Sequence, residues 1–188
     1  MNVESELEQS SQKIMSRLSY EDSCRLLQSQ QIIGPGDIPP LPQKPPRHDD
    51  EVLGVSFFRT MLADSKIEHL TLPRSFFGRS EIRTTSFSDT DLSESTVNWN
   101  DFIDVDFSTA DISRSDFRAC VFERTRFSGA KLLGVDFRHC SFTGCDFTNA
   151  DLTGAKFTKK AGSSLQLSSE QQRVIDWQTG DGAEPEGG

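Results

Sequence analysis

The sequence is poor in the residues that usually anchor a globular core and in those that usually perform chemistry. It holds 1 Tyr, 2 Trp, 3 Met and 34% apolar residues. A large conventional core is therefore not expected. No run approaches 18 consecutive apolar residues, which excludes a spanning helix of the usual kind. The N-terminus, MNVESELEQ, lacks the basic and apolar regions of a secretory signal. There are 3 His, at 48, 69 and 139, and no hydrolase or metal motif surrounds them. The 4 Cys contain no C-x-x-C pair, so neither a zinc site nor a disulfide framework is expected. Thiols without a signal peptide fit a reducing cytoplasm. Cations are outnumbered, 20 Lys+Arg against 29 Asp+Glu, giving a net charge of -9. Such a chain repels phosphates, so direct nucleic-acid binding is not expected.

What the sequence has in excess is phenylalanine, 14 residues in all. Twelve of them fall in one register. From Leu62, every fifth residue through Phe157 is apolar, and Phe57 extends the series backward. A period of five matches neither the 3.6 of a helix nor the 2 of a strand, so the chain must turn at regular intervals. Two residues before each centre runs a second, mostly small series: Ser95, Asn100, Val105, Ala110, Ser115, Cys120, Thr125, Ala130, Val135, Cys140, Cys145, Ala150 and Ala155. One large and one small inward residue per repeat describes a narrow tube. On this reading Cys120, Cys140 and Cys145 are small buried hydrophobes. Many carboxylates occupy the position between the two series, so no catalytic pair stands out and no enzyme is expected.

Segments such as ADISR, ADLTG and CDFTN resemble the pentapeptide-repeat family, over about residues 55–160. The resemblance implies an all-β solenoid: a right-handed quadrilateral β-helix with four pentapeptides per coil, here about five coils. The shaft would be about 25 Å long at the ordinary strand spacing. A four-sided coil stacks residues twenty apart. Leu72, Leu92, Ile112, Leu132 and Leu152 then keep one side aliphatic, while Phe dominates the other three. Phe suits a dry tube better than Tyr, whose hydroxyl would lack a partner.

The chain divides at 1–54, 55–160 and 161–188. In the first part Val3, Leu7, Ile14 and Leu18 have helical spacing, and Ser19 with Asp22 opens a second helix that runs to Gly34-Pro35. A proline-rich linker follows, and PQKPPR at Pro42–Arg47 matches a pattern for SH3-type domains. Pro73, Leu70 and Thr60 suggest an irregular first coil. In the last part Ser168 and Gln171 begin a capping helix through Val174–Trp177, before a disordered tail. That helix could cap one chain or pair two as a homodimer.

Partner-binding candidates come from the outward positions. Trp99, Ile103 and Leu133 are large and apolar where the repeat exposes small polar residues, and Arg118, Arg138 and His139 lie near Trp99 in the four-sided register. Asp89, Glu94 and Asp104 mark an acidic stretch in a shaft whose later half is basic. Charge is segregated: net -4 in 1–54, -1 in 55–160 and -4 in 161–188. No cofactor or metal is implied. The favoured function is protein binding, with an immunity or protection protein acting on a toxin-like enzyme as its most concrete form. The resemblance also implies an alternative, a DNA-mimicking topoisomerase (gyrase) binder of the quinolone-resistance type. The near-neutral shaft departs from that pattern. A third reading is an adaptor that works through the N-terminal segment.

Overall fold

The computed structural model describes residues 16–46 and 54–179. The N-terminal helical spacing at Val3, Leu7 and Ile14, residue Arg47, His48 and the tail from 180 onward lie outside the described residues.

The period of five becomes a corner every five residues. Each inward centre sits mid-side, and two residues later the backbone turns through positive φ, as at Thr84 (φ 47), Trp99 (φ 59) and Arg124 (φ 48). Gly fills this corner at 129, 134, 144 and 154. Elsewhere non-glycine side chains accept a left-handed conformation that costs about 1–2 kcal/mol per residue.

Four sides close one coil. Successive coils pair in parallel twenty residues apart, for example Glu81↔Asp101, Phe102↔Phe122 and Asp116↔Asp136. One side carries a continuous five-stranded parallel sheet in the order β2 (Met61–Ala63), β4 (Glu81–Arg83), β5 (Asp101–Ile103), β6 (Val121–Glu123) and β7 (Ser141–Thr143). We name it the Phe102 side. The Phe77 side holds β1 (Ser56–Phe58), β3 (Phe76–Gly78), β8 (Lys156–Thr158) and β9 (Asp176–Gln178). The Phe107 and Ile112 sides complete the square with isolated bridges.

Inside, most rings twenty apart stack, while Phe117, Phe137 and Phe157 are tilted on one another. Phe102, Phe122 and Phe142 lie 5.1 Å apart at 7° and 5°. Rings from neighbouring sides meet edge-on, as Phe107 and Phe117 do at 88°. Both are favoured aromatic geometries. The small inner series has a role that size alone does not reveal. Its side chains reach down one coil and donate to the carbonyl of the centre below: Ser80 to Phe57, Thr90 to Ile67, Asn100 to Phe77, Ser115 to Leu92 and Cys120 to Val97.

The solenoid makes about six turns, one more than the repeat register alone implies. The chain leaves the tube at helix α2 (Lys159–Gly162), makes helix α3 (Ser169–Val174) and returns in register, so that Trp177 pairs with Phe157. Trp177 is thus a strand residue, not part of the capping helix. Its ring lies 6.1 Å from Phe157, and its indole N–H donates to the Gln172 carbonyl at 3.0 Å. The Ser168–Gln171 capping box is present, and Gln171 also donates to Phe147 and Ala150, where no further coil supplies a donor.

At the base, helix α1 (Tyr20–Ser29) plugs the tube with Cys24 and Leu27, both 0% exposed. It stops well before Gly34, at the Gln30 cap, because Gln31 adopts φ 59. Leu18 N–H donates to His69 O, and Thr71 N–H to Ser23 Oγ, so the N-terminal segment stands in for a missing coil. The first coil is regular, contrary to expectation: it pairs on all four sides, at Ser56, Met61, Lys66 and Thr71. Leu70 fits because a helix, rather than a coil, lies beneath it. It belongs to the same buried cluster as Cys24 and Leu27. The proline-rich segment is no free linker either, since Pro42 and Pro46 are buried. Of the SH3-type pattern, Pro42 is buried and so not available to a partner, whereas Pro45 is exposed and Arg47 lies outside the described residues.

Candidate functional site

The nine partner-binding candidates lie in the middle coils, between residues 89 and 139, and are distributed around the shaft. Trp99 and His139 occupy the edge between the Phe77 and Phe102 sides, with Arg118 and Arg138 just inside it on the Phe77 side. Ile103 lies on the Phe102 side and Asp104 at its far edge. Asp89 and Glu94 sit at the two edges of the Ile112 side, and Leu133 lies on that side. The register therefore gathers Trp99, Arg118, Arg138, His139 and Ile103 into one region. It separates Leu133, Asp89 and Glu94 from them.

The acidic candidates are neutralised across coils. Asp104 receives both Nε and Nη2 of Arg124, at 2.6 and 2.8 Å. Glu94 receives Arg74 at 2.8 Å and Arg114 at 2.9 Å. Asp89 receives Arg17 at 3.3 Å and faces His69 Nδ1 at 3.0 Å. Hydrogen bonds from Arg74 and then Arg114 hold the Glu94 carboxyl below its ordinary value, and Arg124 does the same for Asp104. The acidic middle and the basic end of the sequence are thus largely two halves of the same ion pairs, with Arg124 on Asp104 and Arg126 on Asp106.

The repeated aspartates have a local task. Asp91, Asp106, Asp111, Asp116, Asp136, Asp146 and Asp151 each accept the backbone N–H two residues on, at 2.9–3.1 Å. These outward N–H groups point away from the ladder, and the carboxylate satisfies them. Arg118 and Arg138 in turn each grip their own Asp116 and Asp136 through two nitrogens. They are half-shielded, paired cations rather than free ones. His139 Nε2 is buried with no hydrogen-bond partner among the described residues.

The cysteines are all free thiols. Burial pushes Cys120, Cys140 and Cys145 up, which removes their thiolates at neutral pH. Among the described residues no three His, Cys, Asp or Glu groups could hold a metal ion together, and no helix is long and apolar enough to cross a membrane.

Among the described residues six large exposed apolar residues fall outside the sequence-based set, and two of them lie on the Phe102 side. Val121 is 37% exposed and Met61 75%, both on the outer face of the Phe102 side. Their signal lies in the sequence: each stands one residue before a centre, where this repeat usually carries a polar group. With Trp99 at 40% and half-buried Ile103, they place apolar groups among the charged residues of this face, Glu81 and Asp101 standing between Met61 and Val121. Of the C-terminal helix read as a dimer contact, Val174 is exposed, whereas Trp177 is spent on the cap.

The sequence matches the family described as pentapeptide repeats over residues 120–158, in 8 copies. No curated protein matches it. Among solved structures it is similar to a pentapeptide repeat protein, Rfr23, from the cyanobacterium Cyanothece 51142, at 13% identity and a TM-score of 0.44, covering 56% of this chain and 85% of that one. It is also similar to the plasmid-mediated fluoroquinolone resistance protein QnrB1, at 17% identity and a TM-score of 0.28, covering 55% and 74%. A third is a pentapeptide repeat protein of the Arabidopsis thaliana thylakoid lumen, at 20% identity and a TM-score of 0.28, covering 68% and 77%.

Proposed function

The chain carries the repeats of the pentapeptide-repeat family, and we propose that it acts as a non-enzymatic, protein-binding solenoid of the cytoplasm. Its most concrete form is an immunity or protection protein that seats on an enzyme and blocks or shields it. One observation carries this reading: the five-stranded sheet of the Phe102 side presents exposed Met61 and Val121 and half-buried Ile103, with exposed Trp99 at its edge. Glu81 and Asp101 lie between Met61 and Val121 in the same stack, so these apolar groups are set among charges, and Trp is a frequent hot-spot residue. The ladder holds these side chains on a rigid frame, so little ordering entropy is lost on docking.

The reactive groups support a non-catalytic role, because they are engaged elsewhere. The aspartates cap backbone turns, and burial keeps the thiols protonated. The same pairing weighs against mimicry of a phosphate backbone. Asp89, Glu94 and Asp104 would have to stand in for phosphates, yet each is bound to a cation. An apolar contact with a toxin-like enzyme is therefore favoured over a DNA-like contact with a topoisomerase.

The test is co-purification with the tagged full chain, followed by affinity measurement on the protein recovered. Trp99→Ala and Val121→Ser should each weaken that complex about tenfold or more, as expected of hot-spot residues, with the unfolding midpoint unchanged. Unaltered affinity in both variants would sink the reading. Inhibition of gyrase supercoiling by stoichiometric wild type, retained in both variants, would favour the topoisomerase alternative.

A further inference from the structure

The proline-rich segment Ile38–Pro46 runs along the lower half of the Phe77 side. The shaft holds two of its carbonyls: Arg74 Nη1 donates to Pro42 O at 2.8 Å, and Thr96 Oγ1 to Pro46 O at 2.6 Å. Arg74 is itself oriented by Glu94, which accepts its Nε at 2.8 Å. Pro42 and Pro46 are buried, while Leu41, Gln43, Lys44 and Pro45 face solvent.

The shaft is shaped for this contact. A Cβ on Gly54 would lie 2.6 Å from Pro42 Cγ, so only glycine lets the proline ring seat there. Phe76 breaks the repeat in the same place. It stands one residue before a centre, where Thr96 and Asp116 follow in the coils above, and so faces outward. Yet it is 1% exposed. Its ring lies over Gly78, where a Cβ would come within 2.7 Å of Phe76 Cζ, and 6.0 Å from the ring of Phe58. Phe58 and Phe76 are the two phenylalanines outside the five-residue register, and both are on this surface.

A proline-rich chain is extended before it binds, and its carbonyls have no partners of their own. A groove that reads one needs aromatic floor for the rings and donors for the carbonyls. The Phe77 side supplies the donors, Arg74 and Thr96, and carries two aromatic rings, Phe58 and Phe76, on the same outer face. We propose that this surface is a recognition groove for extended proline-rich segments, occupied in cis by Ile38–Pro46. A partner's proline-rich segment gains it by displacing the resident one. The groove is separate from the exposed sheet of the Phe102 side, and its failure would leave the docking role of that sheet standing.

The experiment uses the full chain and a labelled synthetic peptide of residues 37–46, read by fluorescence anisotropy. Pro42→Asp places a charge in the buried slot beside Gly54 and releases the resident segment, while Arg74, Phe76 and Thr96 stay intact. The peptide should bind the Pro42→Asp variant at least about tenfold more tightly than wild type, because the tethered segment competes at high effective concentration. Adding Arg74→Ala or Thr96→Val should weaken that binding about tenfold, the loss expected for a hydrogen bond to a buried carbonyl. Pro42→Ser is the second release variant, for use if the aspartate version fails to unfold cooperatively. The proposal is overturned by a folded release variant that does not bind the peptide. Binding indifferent to Arg74 and Thr96, or equal binding by wild type, also overturns it. If neither release variant folds, the segment is a structural brace and the proposal fails.

Discussion

Asn100 stands one coil above Phe77 and donates from Nδ2 to its carbonyl at 3.0 Å. The same step from inner residue to carbonyl recurs up the shaft. Asn100 Oδ1 also accepts the Ser80 N–H at 2.8 Å, so one side chain ties together two coils. Donor ability, and not only small size, then decides what this position tolerates. Thr125 donates to Phe102 O. Thr125→Val should cost about 1–2 kcal/mol, the usual penalty for an orphaned buried carbonyl. Cys120→Ser keeps a donor and should stay within about 1 kcal/mol of wild type. Equilibrium denaturation measures both.

The left-handed corners give a second expectation. Thr84 is β-branched at φ 47, an unfavourable pairing. Asn tolerates that conformation, so Thr84→Asn should stabilise by about 0.5–1 kcal/mol. Gly134→Val, at φ 66, should destabilise by at least about 1 kcal/mol. Opposite signs for the two variants in thermal melts are the outcome that checks this.

The ring stacks should fail locally and heavily. Phe122 is 0% exposed and lies 5.1 Å from both Phe102 and Phe142. Phe122→Ala should cost about 3–5 kcal/mol. A solenoid is coupled chiefly to its nearest neighbours, so hydrogen exchange should rise first in the coils of Phe102 and Phe142 and least at the base plug.

Acid should loosen the lower shaft through Glu94. Its carboxyl is held below the ordinary 4.5 by Arg74 and Arg114. A lowered folded value means the stabilisation is complete above pH 4.5 and is lost as pH falls through the folded value. Glu94→Gln should therefore melt lower than wild type at pH 7, and the two melting curves should converge as the pH is taken toward 3. A gap that persists unchanged in acid would contradict the assignment.

Thiol chemistry should follow burial. Cys120 and Cys140 are 1% and 7% exposed, with thiols pushed up by desolvation. Native protein should leave both unmodified by a thiol reagent at pH 8, with Cys145 the first of the shaft cysteines to react, and denaturant should expose all of them.

Most of the shaft is legible in its repeat. The inward centres, the aliphatic Ile112 side and the Ser19 and Ser168 caps all follow from spacing, and so does the burial of Cys120 and Cys140. Charge counted by segment in sequence order misleads, because pairing runs between coils. Asp104 and Arg124 are twenty residues apart, one coil, and they touch. The twenty-residue period already contains that contact. The seating of Pro42 and Pro46 is not legible, since Arg74 and Thr96 meet them across 32 and 50 residues with no periodic signal. Trp177 stands twenty residues after Phe157 and so keeps the period, but Gly162 and Gln172 break the apolar run between them, and the excursion of α2 and α3 hides the return.

The one-coil pairing also makes the shaft a screw with a fixed lead. Removing or adding twenty residues would slide every feature above it by one thread, about 4.8 Å, and leave its bearing unchanged. Removing five would swing everything above by a quarter turn. Trp99, at the edge of the Phe102 side, would then point where another side now faces. Reach and direction of a docking residue are therefore separate variables in this molecule, and repeat number sets each of them in whole steps.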